Sequence, residues 1–344
     1  MAAFVPRRAF PHLSSIPRSY YLGHHAAGLS RMKTLLSSID LVIECRDYRT
    51  PLSSRNPTFE QHLGERPRLI VYTQQDLGSN YTAADTARER IVAKWFQPTP
   101  TLFTSSTSKQ GIRSILDFCR THASTASNSH LFGTRVLIVG MPNVGKSTLL
   151  NSLRQLSLNK RKASRTGNQP GVTRKIESAV KIIQGEESEG DAGSVYVVDT
   201  PGVFVTYAPD AESMLKLCLC GSVKDTIVPP TTVADYLLYH LNLHDPSLYA
   251  MFHPEPTNDI GVVLTGLAHK QGRLKKGGVP DFDASALQFI QRWRAGEMGR
   301  FVLDDVTEEG LQDRDNMLEG LGGSVSQARK ELKAQKRAAA QLKT

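Results

Sequence analysis

The sequence predicts a mainly parallel α/β sheet followed by a smaller helical domain. Three observations carry this. Short apolar runs alternate with helical stretches from about Ser30 to Val205, one glycine-rich loop sits between an apolar run and a helix, and strand signals fade after Val205. A chain of 344 residues is enough for roughly two domains. Its 40% hydrophobic content supplies an ordinary core, and no run reaches the ~20 apolar residues of a membrane span.

The elements follow in order. The first forty residues hold no Asp or Glu before Asp40, and Arg7, Arg8 and Arg18 are interleaved with Phe, Leu, Tyr and Ser. That is the pattern of a mitochondrial transit peptide, assigned to residues 1–22; a plain basic arm is the alternative, since Pro6, Pro11 and Pro17 interrupt an amphipathic helix. Residues 23–206 read as the α/β domain. It starts with a strand at Leu41–Glu44 and a polar loop. "RPRLIVYTQQDLG" supplies a second strand and loop, "TARERIVAKWF" a helix, and "PTLFTSSTSKQGIRSILDFCRTH" a third strand, a Ser/Thr loop and another helix. "STASNSH" is a linker. "TRVLIVGMPNVGKSTLLNSLRQL" is strand, loop and helix. A basic segment (Asn159–Lys175), the run "KIESAVKII" and an acidic loop "QGEESEGDAG" lead to the strand "SVYVVDTPGV". Residues 207–308 have helical spacing in "AESMLKLCLCGSVKD", "TVADYLLYHLN" and "ASALQFIQRWRAG". Residues 309–344 form a basic helical or disordered tail. Cys45, Cys119, Cys218 and Cys220 are scattered, poor geometry for zinc, and read as buried thiols of a reducing compartment. The net charge of +9 points to an anionic partner, nucleic acid before membrane.

"GMPNVGKST", residues 140–148, matches G-x-x-x-x-G-K-[ST] in the strand–loop–helix context that motif requires. Gly140 and Gly145 let the backbone curl so that amides, including those of Asn143, Val144 and Thr148, face phosphate oxygens, and the helix start adds its partial positive charge. Lys146 is placed to contact the outer phosphates and Ser147 to ligate Mg²⁺. Downstream, Asp199 ends the strand of "YVVDTPGV", where its carboxylate can hold the Mg²⁺ shell, and the Gly202 amide senses a γ-phosphate. Between them, Thr173 in "NQPGVTR" is placed to close over Mg²⁺. In this order the three segments describe a GTP-hydrolysing switch. A P-loop kinase is disfavoured, because the switch segments leave no acceptor site in evidence.

A guanine reader N-K-x-D is missing after Gly202. The candidate is "TQQD", with Thr73, Gln74 and Asp76, followed by "TSST" at 104–107, where Ser105 and Ser106 offer backbone amides to the guanine O6. Both lie before the P-loop, so the motif order is a cyclic permutation of the usual one. Re-joining neighbouring termini leaves a sheet intact.

With these motifs, the chain resembles the circularly permuted GTPases of the YlqF/YawG family, in their mitochondrial ribosome-associated branch. The likeness extends to "DLVIECRDYRTPLSSRNP" and to "GSVKDTIVPPTTVADYLLYHLN" and "GRLKKGGVPDFDASALQFIQRWRAGEMGRF", roughly residues 22–305. It implies a factor in assembly of the mitochondrial large ribosomal subunit, contacting that subunit and its rRNA. Such a factor binds GTP or GDP and Mg²⁺ and works in the matrix, peripheral to the inner membrane, with no transmembrane segment. A nucleotide-binding RNA scaffold with little turnover is the alternative. The resemblance also implies roles at the base loop: Asp76 accepts from the guanine, Thr73 braces in place of Asn, and Gln74 loses the lysine's charge and its reach to the P-loop. Where many GTPases place Gln after the switch glycine, this chain has Val203, which cannot orient water, so unassisted hydrolysis is expected to be slow. Asn143 occupies a position similar to that of the asparagine that ligates K⁺ in potassium-activated GTPases, or it forms a turn. With Lys146 and Thr173 it completes the candidate catalytic set. Lys270, Arg273, Lys275, Lys276, Arg292, Arg294 and Arg300, with Phe289 and Trp293 nearby, form a candidate RNA face, the aromatics stacking on bases or filling the core.

Overall fold

The structure is a computed structural model that describes residues 4–11, 36–64, 66–105, 108–125, 133–159, 179–185, 193–199 and 208–320. Outside them lie most of the linker, the basic segment and the acidic loop, the switch residues Thr173, Gly202, Val203 and Phe204, as well as Ser106, Arg18 and residues 321–344.

Six strands form one sheet: β1 (Leu41–Asp47), β2 (Arg68–Thr73), β3 (Thr101–Phe103), β4 (Thr134–Gly140), β5 (Val180–Ile183) and β6 (Val195–Asp199). Their order is β3-β2-β1-β4-β6-β5, all pairs parallel except β5 against β6. β1 is buried throughout because both faces are covered. Leu41, Ile43 and Cys45 join Val136 and Ile138 in the large core, with Ile115 of α3 (Lys109–Thr125) and Leu150 of α4 (Lys146–Leu158). Val42, Leu137 and Val139 face the other way, onto Phe59 and Leu63 of α1 (Pro57–Leu63). α2 (Ala83–Trp95) is started by a capping box between Thr82 and Asp85. β1 runs three residues past its expected end, because Cys45–Asp47 continue the pairing with Val71–Thr73.

The chain walks outward from β1 to β3, then returns to lay β4 on the other side of β1. The strand order therefore reverses at β1 and β4, and in such sheets the crevice at the strands' carboxyl ends is where ligands bind. Cys45 aligns with Gly140 and Asp47 with Thr73, which brings the loops after β2 and β4 to this one edge.

Beyond β6 come α5 (Ala211–Cys220), α6 (Pro230–His244), a 3₁₀ turn at Pro246–Tyr249, α7 (Ile260–Gln271), α8 (Phe282–Arg294) and α9 (Glu308–Gly320). Leu217, Leu237, Leu267, Phe289 and Trp293 interlock in their common core. Phe289 and Trp293 are 0% and 1% exposed, so they are core residues and not base-stacking platforms. After α8 the chain returns to the sheet domain. Asp304 accepts hydrogen bonds from the amides of Leu52 and Ser53 (2.8 Å each) and from the Ser53 hydroxyl (2.6 Å), with Lys216 3.3 Å away. All four cysteines are free and buried, and burial pushes each thiol up to about 12. Among the described residues no helix is long and apolar enough to cross a membrane. Phe4–Pro11 lies against α6, where Arg7 pairs with Asp235 and Phe10 packs on Tyr236.

Candidate functional site

Gly140 ends β4 at φ +143°, and a Cβ there would stand 2.2 Å from the Cys45 carbonyl oxygen of β1, so only glycine fits. Asn143 (φ +58°) and Gly145 (φ +88°) turn the chain back into α4. Gly145 caps α4 without a side-chain acceptor, leaving the first-turn amides of Lys146, Ser147 and Thr148 as an anion-facing set. The Lys146 ammonium donates to the carbonyls of Gly140 (2.8 Å) and Met141 (2.6 Å), inside the curl of the loop. Asp199 aligns with Ile138 at the end of β6, on the same edge.

The base loop is fastened to this P-loop by side chains. Thr73 is 5% exposed, and its hydroxyl lies within reach of the carbonyls of Arg46 (3.1 Å) and Val144; with one hydrogen it serves one at a time. Gln74 takes φ +58° and its amide donates to the Asn143 carbonyl at 2.9 Å. The expected loss of reach to the P-loop is therefore corrected: the left-handed backbone turns the glutamine back onto it. Asp76 sits half-buried in a one-turn helix, Gln75–Gly78. Val144 is fully buried beneath the crossing point.

The second loop is sewn to the first. The Thr104 amide donates to Tyr72 (2.8 Å), and the Thr104 carbonyl accepts from the Gln75 amide (3.2 Å). Ser105 is buried.

Two residues of this site escaped the sequence reading. Arg49 is 2% exposed and sits on the Asp47 carboxylate (Nε 3.0 Å, Nη2 2.7 Å), with Nη2 also donating to the side-chain Oε1 of Gln74 at 2.5 Å. Burial opposes its charge, but Asp47, and more weakly Asp76, hold the guanidinium firmly protonated. Tyr81 is 59% exposed at φ +58°. Burial and the nearby Asp76 charge raise its phenol. The D-x-R spacing at the end of β1 was the available signal for Arg49, and the sequence held none for Tyr81.

The Asn143 amide donates to the Gly221 carbonyl at 2.8 Å, at the end of α5. α5 is the first described helix after residues 200–204, the segment that the sequence suggests as the second switch.

The predicted RNA face divides. Residues 271–279 are all exposed and carry Arg273, Lys275 and Lys276, flanked by the exposed Lys270. Arg294 is withdrawn from it: it donates to the carbonyls of Leu219 (2.8 Å) and Cys218 (2.6 Å) and pairs with Asp225. Arg292 pairs with Glu297 at 2.8 Å.

Comparison with known proteins agrees with this geometry. A family profile described as "50S ribosome-binding GTPase" matches residues 135–228. "Mitochondrial GTPase 1" of Schizosaccharomyces pombe is 40% identical over 90% of the chain and 95% of that protein. "Mitochondrial ribosome-associated GTPase 1" of Xenopus tropicalis is 33% identical over 88% of the chain and 99% of that protein. The crystal structure of GNP-bound YlqF from T. maritima superposes with a TM-score of 0.55 at 22% identity, covering 80% of the chain and 97% of that structure.

Proposed function

The chain belongs to the mitochondrial ribosome-associated GTPase 1 family of circularly permuted GTPases, and from that premise we propose that it is a GTP-driven switch assisting assembly of the mitochondrial large ribosomal subunit. It is a mitochondrial GTPase. The single observation that best supports the switch is the Asn143–Gly221 bond, which joins the P-loop to the helix following the second switch. Ribosome association rests on the names of its relatives and on the exposed basic loop, Lys270 to Lys276. Its site of action is the matrix face of the inner membrane.

Within the site, Lys146 steadies the outer phosphates and Asp76 reads the guanine. Ser147, Asp199 and Thr173 are the oxygen-bearing residues that would hold Mg²⁺, and the ion would supply charge neutralisation at the phosphates. Asn143 is the residue that would hold K⁺ beside them, which requires its amide to leave Gly221. With Val203 after the switch glycine, hydrolysis is slow alone and rises on ribosomal particles.

Co-sedimentation of the full chain with mitochondrial large subunits tests this. Association is expected in a non-hydrolysable GTP analogue, with less in GDP, and turnover should increase on the particles. Charge reversal at Lys270, Lys275 and Lys276 should weaken association and flatten its salt dependence by roughly two to three counterions. Absence of association in either nucleotide overturns the proposal. Association with no stimulated turnover favours the scaffold reading.

A further inference from the structure

We propose that residues 4–11 are a built part of the fold, a strap across α6 that import leaves on the mature protein. The stretch has the composition of an import signal, with arginines and no acid. A leader that is cut away has no reason to fit the surface it leaves. This one fits, and by contacts of different kinds.

Arg7 is the anchor. Its guanidinium donates to both carboxylate oxygens of Asp235 (2.7 and 3.0 Å) and to the Asp235 backbone carbonyl (3.3 Å). Both side chains are largely withdrawn from water. An open surface ion pair contributes little, but a two-pronged, mostly covered one holds a fixed geometry. The same guanidinium lies 5.4 Å from the centre of the Phe10 ring, across the bend at Arg8 and Ala9. Phe10 in turn meets the fully buried Tyr236 edge-on at 5.1 Å and Tyr239 at 5.9 Å. Two carbonyls complete the attachment. That of Val5 accepts from the Asn258 side-chain amide (3.0 Å), and that of Arg8 from the Tyr239 hydroxyl (3.4 Å).

The sequence is sided to match. Phe4, Pro6, Arg7 and Phe10 are partly buried, while Val5, Arg8, Ala9 and Pro11 are exposed. Pro6 and Pro11, which interrupt an amphipathic helix, suit an extended strap. They have no amide to satisfy, and their φ is fixed in advance, so less chain entropy is lost on docking. The strap joins two elements: Asp235, Tyr236 and Tyr239 belong to α6, and Asn258 precedes Asp259, the cap of α7. Beneath it the Tyr236 hydroxyl donates to Glu212 of α5 (3.3 Å), and Glu212 pairs with Lys216. A cut after residue 22 would leave Asp235 without its arginine and uncover the Tyr236 edge above this packing.

Two experiments test the strap, and neither depends on which nucleotide the protein binds. The first is intact mass and N-terminal sequencing of the protein isolated from mitochondria. The mature chain should still contain residues 5–10, and any later start overturns the proposal. The second uses the full-length chain and thermal melting of wild type, Arg7→Asp, Asp235→Arg and the double variant. Each single reversal should lower the melting temperature by about 2 °C, and the double variant, with the pair inverted, should recover most of the loss. Two losses that simply add, or no loss from either reversal, overturn the strap as a working part of the fold.

Discussion

The P-loop after β4 and the base loop after β2 meet at one edge of the sheet and hold their shapes by different means. The P-loop relies on backbone: Gly140, Asn143 and Gly145 at positive φ, with the Gly140 Cα against the Cys45 carbonyl. The base loop relies on side chains: the Thr73 hydroxyl on the P-loop, the Gln74 amide on Asn143, and Arg49 behind Gln74. A backbone cradle tolerates few residue types, so its pattern survives intact in sequence. Side-chain contacts can be made by other residue types, so a loop that looks damaged as a string can remain fastened in space.

The largest effect is expected at the backbone cradle's one essential side chain. Lys146→Ala should cut turnover by roughly 10²-fold or more, the scale of losing one preorganised charge at a transferring phosphoryl group, with an unchanged melting curve. Normal hydrolysis would break the comparison at the P-loop end. Next, Asp76→Asn should remove most of the preference for GDP over ADP, because an amide presents a donor where guanine also presents donors, at about 1–3 kcal/mol. Thr73→Val should cost about 1–3 kcal/mol of stability by leaving the buried Val144 carbonyl without its partner; chemical denaturation measures it, and no loss would return the brace to backbone alone. The smallest effect concerns Asn143, which serves both loops. Hydrolysis should run faster in KCl than in NaCl at equal ionic strength, and Asn143→Ala should erase the difference; equal rates in both salts leave Asn143 with its turn and its bond to Gly221.

What was legible in the sequence follows the same division. "GMPNVGKST" is readable because each glycine answers a backbone demand. Asp76 stands out as a candidate because one carboxylate at a strand end needs no neighbours to be noticed. Arg49 does not, because its place depends on the register that sets Asp47 beside Thr73. Gln74 looked too short until its left-handed φ turned it toward Asn143. In the helical domain, periodicity could not decide which way Phe289 and Trp293 face, and counting charges could not show that Arg294 is spent capping α5.

The central claim is that residues 73–76 still read guanine, with the Thr73 hydroxyl and the Gln74 amide holding the loop to its neighbours. Titrating GDP and ADP against the full-length wild-type protein tests it most directly. GDP should bind on the order of 100-fold more tightly, the discrimination of a paired carboxylate that would otherwise be left unsatisfied. Equal affinity for the two nucleotides would contradict it and leave residues 73–76 as an ordinary turn at the end of β2.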